Sequence, residues 1–176
     1  YMTVFVPEYG AKGIWISLFN AVSAFCNAGM DIIGENSLLD YATNPTVNGV
    51  TSALIILGGL GYIVWWDILR VIRLARERKS IRALSHLTLH SKLALSATAI
   101  FLMGGALLIL LCEYRNPATI GNLGLFDKIQ VSFFQSVTTR TAGFATVDQA
   151  ALTPATTALC LVLMFIGGSP VGTAGG

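Results

Sequence analysis

The amino-acid sequence predicts an all-α membrane protein, and three observations support this prediction. Charged residues make up only 11% of the chain, whereas soluble domains carry about 25%. Two uncharged runs, 47–66 and 93–112, are each 20 residues long, which is about the length that a helix needs to cross a bilayer core. Two other apolar stretches, 13–25 and 128–137, are too short to cross and are typical of re-entrant or buried helices.

The two long runs are predicted to be transmembrane helices, from Val47 to Trp66 and from Leu93 to Cys112. A third apolar segment begins near Ala155 and is rich in Leu, Gly, Ala and Thr. We predict that it enters the membrane and breaks partway. The three cysteines lie far apart in apolar surroundings and show no metal-ligand spacing. We therefore expect apolar packing roles for them and no covalently bound cofactor.

The segment 70–92, between the two long runs, carries seven of the 11 basic residues and one acid. Short loops rich in Lys and Arg remain on the cytoplasmic side of a membrane. The segment is therefore predicted to be a cytoplasmic loop, so that run 47–66 passes inward and run 93–112 outward. A basic patch for nucleic acid is the alternative; the flanking spans disfavour it, and we expect no nucleic-acid partner.

Each half-length stretch is followed at once by a polar string that contains glycine. We call residues 26–31 (CNAGMD) the N-terminal glycine string and residues 138–146 (TTRTAGFAT) the C-terminal glycine string. A shift of 114 residues places the sequence NAGM of the first on TAGF of the second. Internal repeats of this kind in transporters mark the substrate path.

Irregular backbone at membrane depth is tolerated only inside protein or against a water-filled cavity. An extended string there presents carbonyl oxygens that can replace the hydration shell of a potassium ion, and glycine permits the dihedral angles that aim them one way. The half-helix ends with its partial negative charge near such an ion. Both strings are predicted to face the outside. The alternative is that they are ordinary buried loops packing two helices; two loops in register favour pore loops.

The chain closes on a glycine-rich loop, residues 167–176 (GGSPVGTAGG). Five glycines with Ser169, Pro170 and Thr173 are not expected to hold a regular helix. The alternative is a helix-packing face with Gly168 and Gly172 at GxxxG spacing, which Pro170 between them weakens.

Four segments together resemble the Trk/Ktr/HKT superfamily of potassium transporters: SAFCNAGM (23–30), LHSKLAL (89–95), SVTTRTAGF (136–144) and MFIGGSPVGTAGG (164–176). Members of that family have four linked repeats of outer helix, pore helix, filter strand and inner helix. The resemblance implies that residues 1–75 are the second repeat from its pore helix through its inner helix. It implies a cytoplasmic basic loop at 76–92 and, at 93–176, a third repeat truncated in its broken inner helix.

The resemblance also implies the site residues. Potassium would bind at filter carbonyls, and a gate would lie under the filter. The filter positions are Cys26, Asn27, Ala28, Gly29, Thr139, Arg140, Thr141, Ala142 and Gly143, and the gate positions are Gly167, Gly168, Ser169, Pro170, Gly172, Thr173, Gly175 and Gly176.

Arg140 is a cation beside a cation filter, and a guanidinium facing the pore would repel potassium. We therefore expect Arg140 to point behind the filter, paired with an acid or with carbonyl groups, and to brace the string.

The function implied is potassium transport across the cell membrane by a multi-pass protein, with sodium as a candidate coupling ion. A sodium-selective or non-selective relative and a non-transporting scaffold are the alternatives. An enzyme with Ser169 as nucleophile is disfavoured, because His86 and His90 lie in the basic loop and no carboxylate pair lies in a span. The resemblance implies a homodimer and a cytosolic nucleotide-binding regulatory subunit as partners, beside membrane lipid.

Overall fold

A computed structural model describes residues 1–34, 36–78 and 87–175. Within these residues the chain is helical, with short 3-10 helices at Leu39–Tyr41 and Gln149–Ala151 and no β-strand. The all-α prediction is confirmed for this part of the chain, although the strings implied to be filter strands are irregular backbone. The α-helices are α1 (Met2–Tyr9), α2 (Ala11–Phe25), α3 (Pro45–Gly59), α4 (Tyr62–Arg78), α5 (Leu89–Glu113), α6 (Leu125–Thr138) and α7 (Pro154–Ile166).

The two predicted half-length helices are present. Stretch 13–25 lies in α2, which has 15 residues, and stretch 128–137 lies in α6, which has 14. At 1.5 Å per residue each is about 20 Å long, shorter than a bilayer core of about 30 Å. Each leads into irregular backbone and then into a proline-initiated helix, α3 or α7. The order of elements therefore repeats, as the shift of 114 residues predicts.

Local sequence fixes the starts of α3 and α7. Pro45 and Pro154 occupy the first turn, where a missing N–H costs nothing. The preceding residues cap the helices: Asn44 Oδ1 accepts from Thr46 N at 3.0 Å, and Thr153 Oγ1 accepts from Thr156 N at 3.4 Å. Side-chain oxygens at this position satisfy helix N–H groups that have no partner within the helix.

Helix α5 contains the predicted span 93–112 and is 25 residues long. Its buried face includes Thr98, Gly105 and Glu113, whereas its outer face exposes Ile100, Leu107 and other large apolar side chains. Polar and small residues inside, with apolar residues outside, are typical of a helix that packs within a membrane. Gly105 lets α6 approach, and Ser136 of α6 donates to the Leu102 carbonyl at 2.9 Å.

The predicted continuous span from Val47 to Trp66 is wrong. The chain breaks after α3, and α4 leaves at 93° to it. Gly61 adopts φ 81° at the break, a conformation that glycine reaches without strain. The apolar run concealed the break because Gly58, Gly59 and Gly61 are uncharged yet weaken a helix.

Among the described residues, α5 alone is long and apolar enough to cross a membrane as one helix. Helix α3 and residues 62–74 make a second candidate only if the bent pair is one crossing. The third predicted segment is confirmed as a short apolar helix, α7, that breaks at Gly167 with φ 69°.

The segment predicted to be a basic loop is partly helical. Residues 70–78 continue α4, and α5 begins at Leu89. Arg70 and Arg73 therefore lie on a helix that also carries Val71 and Leu74. The many basic residues indicated a loop, although the apolar residues between them have helical spacing. Residues 79–86, with His86, lie outside the described residues.

The core lies where α1, α2, α3 and α6 meet. Phe5 and Phe134 are fully buried there, and the ring of Phe5 meets that of Tyr41 edge to face at 5.2 Å. This packing supports the ends of α2 and α6, from which the two glycine strings emerge.

Candidate ion filter and gate

The two glycine strings share one backbone pattern. Asn27 and Gly29 have φ of 52° and 66°, and Thr141 and Gly143 have φ of 75° and 93°. These pairs are 114 residues apart, as the sequence repeat requires. In each string, two residues with positive φ are separated by one residue without it. This pattern is incompatible with a regular helix or strand. The predicted equivalence of the strings is therefore visible in their dihedral angles.

The strings meet at their glycines. A Cβ atom placed on Gly29 would overlap the Ala142 carbonyl oxygen, and one placed on Gly143 would lie 3.4 Å from the Gly29 Cα. Both positions also have positive φ, which is unfavourable for residues with a side chain. Conformation favours glycine at both positions, and at Gly29 there is also no space for a side chain.

A hydroxyl group in the last turns of each half-helix holds its string. Ser23 Oγ donates to the Met30 carbonyl at 2.5 Å, and Thr138 Oγ1 donates to the Phe144 carbonyl at 2.7 Å. Met30 and Phe144 are equivalent under the shift of 114 residues. Neither hydrogen bond was predicted from the sequence, although the repeat aligns the two residues whose carbonyl groups accept them.

The glycine-rich loop is hydrogen-bonded to both strings or to their helix ends. Thr173 Oγ1 donates to the Phe25 carbonyl at 2.9 Å and accepts from Asn27 Nδ2 at 2.7 Å. Gly175 N donates to Thr141 Oγ1 at 2.8 Å. The loop thus contacts the residues of both repeats that the sequence predicts for the filter.

The same loop packs against the break between α3 and α4. Ser169 N donates to the Gly59 carbonyl at 3.2 Å, and Thr173 N donates to the Gly58 carbonyl at 3.3 Å. The Gly61 backbone lies so close to Pro170 that an added Cβ would be 2.9 Å from the Pro170 carbonyl oxygen. The break between α3 and α4 therefore receives the irregular segment that follows α7.

Arg140 bonds to a carbonyl group, as expected, but the carbonyl belongs to the glycine-rich loop. Its Nε donates to the Gly167 carbonyl at 3.0 Å. Arg140 and Asn27 also line a small cavity of about 20 Å³ beside Gly168, and the buried Asn27 Oδ1 has no hydrogen-bond partner. This arginine therefore links the C-terminal glycine string to the end of α7.

The remaining predicted filter positions differ in environment. Cys26 and Ala28 are exposed, whereas Ala142 is buried. Thr139 is also buried, and its hydroxyl donates back to the Gln135 and Ser136 carbonyls of α6 at 3.0 Å. Its side chain therefore caps a helix end.

The remaining predicted gate positions are also mixed. Ser169 is buried and its hydroxyl has no hydrogen-bond partner, whereas Pro170 is exposed. Gly176 lies outside the described residues. Within residues 1–34, 36–78 and 87–175, no group of three or more His, Cys, Asp or Glu side chains is placed to hold a metal ion.

Tyr41 ends the short 3-10 helix Leu39–Tyr41, within the segment that joins the N-terminal glycine string to α3. Its hydroxyl donates to Glu8 at 2.6 Å. Burial of the ring and this bond to a carboxylate raise the pKa of Tyr41 well above its usual range. The phenol therefore stays protonated and ties α1 to this connection.

Comparison with known proteins gives a consistent result. A family model described as TrkH, cation transport protein, matches residues 2–176. The chain is 48% identical over 174 residues to a potassium/sodium uptake protein, NtpJ, of Enterococcus hirae, covering 98% of this chain and 36% of that protein. It is 40% identical over 172 residues to Ktr system potassium uptake protein B of Bacillus subtilis, covering 97% of this chain and 36% of that protein.

A third relative, Ktr system potassium uptake protein B of Vibrio alginolyticus, is 36% identical over 172 residues, again covering 97% of this chain and 36% of that protein. The chain thus spans about a third of the length of these curated relatives. They and the matching family are named for transport, and the match extends over both glycine strings and the glycine-rich loop through Gly176. The chain belongs to the TrkH family of membrane cation transport proteins.

Proposed function

We propose that the chain supplies parts of two of the four repeats of a pore that conducts potassium ions across the cell membrane. The observation that carries the proposal is the meeting of two equivalent glycine strings at Gly29 and Gly143, each at the end of a half-helix. The relatives named as potassium uptake proteins support the choice of ion.

In this proposal, backbone carbonyl groups of the strings replace water around the ion. The C-terminal ends of α2 and α6 add partial negative charge nearby. The hydroxyls of Ser23 and Thr138 donate to the Met30 and Phe144 carbonyls. These hydrogen bonds hold both carbonyl groups in place, so that the strings keep their shape when an ion leaves.

The glycine-rich loop is the proposed gate. It is tied to Asn27 and Thr141 of the strings and to Arg140 behind them. Displacing the loop breaks these hydrogen bonds together. Each net hydrogen bond contributes about 1 kcal/mol, so a regulator needs only a few kcal/mol of differential binding energy to open the pore.

Sodium is the competing or accompanying ion. One relative is named a potassium/sodium uptake protein, which supports sodium as a coupling ion or as a second conducted ion. A sodium-selective or non-selective pore built from the same strings is the second candidate function.

The proposed assembly follows the family resemblance. The whole protein is a multi-pass membrane protein that forms a homodimer and binds a cytosolic nucleotide-binding regulatory subunit. The basic segment 70–92 faces the cytoplasm, and the glycine strings face the outside, because Lys and Arg favour the cytoplasmic side of a membrane.

The test is cation flux by the full-length protein, with its regulatory subunit, in proteoliposomes. Gly143→Ala adds one methyl group at φ 93° and should reduce potassium flux at least about fivefold, because strained backbone costs about 1–3 kcal/mol. Gly143→Asp should abolish flux. Gly49→Ala is the matched control, since Gly49 lies exposed on α3 with no atom within 4 Å of an added Cβ.

Potassium flux that falls in both Gly143 variants and persists in Gly49→Ala supports the pore. If the unmodified protein conducts sodium better than potassium, the second candidate function, a sodium-selective or non-selective pore, is supported instead. Unchanged flux in the Gly143 variants would remove the strings from the conduction path, and no flux of either ion would favour a scaffold.

A further inference from the structure

Helix α4 lies at the level of the start of α5. It leaves α3 at 93°, and its buried Asp67 accepts from the Thr88 backbone N–H at 2.7 Å and from the Thr88 hydroxyl at 2.9 Å. Thr88 is the N-cap of α5, the helix long enough to cross a bilayer. The middle of α4 is therefore held at the membrane boundary at which α5 begins.

The outer face of α4 is amphipathic and forms a groove of about 850 Å³. Trp66 is 74% exposed there, and Ile63 and Leu69 are also exposed. Arg70 and Arg73 line the same groove. An apolar face with Trp and Arg, held in the plane of a membrane boundary, is the pattern of an interfacial helix.

The charge at the groove is positive. Asp67 is the one carboxylate among its described lining residues, and it is occupied by Thr88 and by an ion pair with Arg70. Arg70 has five N–H donors and keeps some free when it pairs with one carboxylate oxygen. Arg73 adds a second guanidinium at the rim. Two guanidinium groups beside one neutralised carboxylate match a phosphate group.

We propose that this groove is a binding site for an anionic phospholipid. The phosphate binds Arg73 and Arg70, and the acyl chains lie along Ile63, Trp66 and Leu69. Basic grooves beside membrane helices on the cytoplasmic side suit such lipids, and tryptophan favours the headgroup level. This inference does not depend on the proposed transport function.

A lipid fits the groove better than a protein partner would. The floor is apolar and lies level with the end of a membrane-crossing helix, whereas a cytosolic subunit approaches beyond that boundary. A second copy of the chain would have to place a carboxylate between the two arginines to match their charge.

The test uses the full-length protein in nanodiscs that contain brominated phosphatidylglycerol or brominated phosphatidylcholine. Bromine quenches nearby tryptophan, and subtracting the signal of Trp66→Phe isolates Trp66. The anionic lipid should quench Trp66 more strongly than the zwitterionic lipid. Arg73→Gln should lower the anionic preference about fivefold, the contribution of one basic side chain near a membrane.

Arg76→Gln is the matched control, because Arg76 is exposed on the same helix but is absent from the groove lining; it should retain most of the preference. Equal quenching by the two lipids would overturn the proposal. An equal loss of anionic-lipid preference in Arg73→Gln and Arg76→Gln would show that the helix attracts anionic lipid through its overall charge, without a defined site. Absence of quenching by either lipid would show that another part of the protein or a second copy covers the groove.

Discussion

At the scale of single residues, two buried carboxylates each join one helix to the start of a later one. Asp67 of α4 accepts the N–H and the hydroxyl of Thr88, and Glu113 of α5 accepts the N–H and the hydroxyl of Thr153. Each threonine is the N-cap of a later helix, α5 or α7. A carboxylate at a helix N-terminus is stabilised by the helix dipole. The Asp67 contact fixes the middle of α4 against the start of α5, and the Glu113 contact fixes the end of α5 against the start of α7.

Glu113→Ala is expected to destabilise the protein by about 3 kcal/mol, because buried donors lose their acceptor. Glu113 also accepts from Asn116 at 2.7 Å and Thr119 at 2.6 Å, so several groups lose a partner at once. Glu113→Gln keeps an oxygen acceptor and should lose less. The thermal unfolding midpoint of the full-length protein in detergent measures the effect.

The control for this series is Asp40→Ala at an exposed aspartate, which should change stability by less than about 0.5 kcal/mol. A midpoint for Glu113→Ala equal to that of the control would show that the network does not hold α5 and α7 together.

Some of the residues that hold the strings and helices together were predictable from the sequence, and others were not. Gly29 and Gly143 were recognisable because the requirement for glycine is local and repeats after 114 residues. The hydrogen bond between Asn27 and Thr173 joins residues 146 positions apart, and no local pattern encodes it. Glu113 was missed because a single acid at the end of an apolar run resembles a solvated helix terminus.

At the scale of elements, the half-helices and the break after α7 followed from length and glycine content. The break between α3 and α4 did not, although Gly58, Gly59 and Gly61 were visible. Hydropathy measures charge and apolar content, and glycine counts as apolar while it weakens a helix. The break is stabilised by the glycine-rich loop, a tertiary contact between repeats.

Thr173→Val tests the attachment of that loop. Valine removes the hydroxyl that bridges Phe25 and Asn27 and keeps the side-chain shape. We expect potassium leak without activating ligand to rise about tenfold, because two hydrogen bonds of the closed state are lost. Flux into proteoliposomes, measured with and without the proposed nucleotide-binding regulatory subunit, reports the leak.

Thr157→Val is the comparison, since Thr157 is exposed on α7 and its hydroxyl bonds only to the Thr153 carbonyl of its own helix. A leak that stays at the unmodified level in Thr173→Val, or rises equally in both variants, would contradict the gate assignment.

At the scale of the whole molecule, the membrane environment follows from an apolar exterior and polar contacts inside. Ile100, Leu107 and Leu111 of α5 are exposed, while Glu113 and Ser91 of the same helix are buried. Orientation rests on the basic segment alone, and it predicts that residue 76 lies in the cytoplasm and residue 122 outside.

Single cysteines test this orientation in a full-length protein that lacks its native cysteines. Asn122→Cys should react with a membrane-impermeant maleimide in intact cells, because Asn122 is exposed in the predicted outer loop. Arg76→Cys should react only after permeabilisation. The reverse pattern would invert the topology and place the glycine strings on the cytoplasmic side.

In the proposed pore, the two glycine strings line one cation path. Anomalous scattering from crystals of the full-length protein soaked in thallium or rubidium, which substitute for potassium, tests it most directly. We expect density coordinated by backbone carbonyl oxygens of the strings beside Gly29 and Gly143. Bound ions found elsewhere, with none at the strings of a protein that still transports potassium, would contradict it.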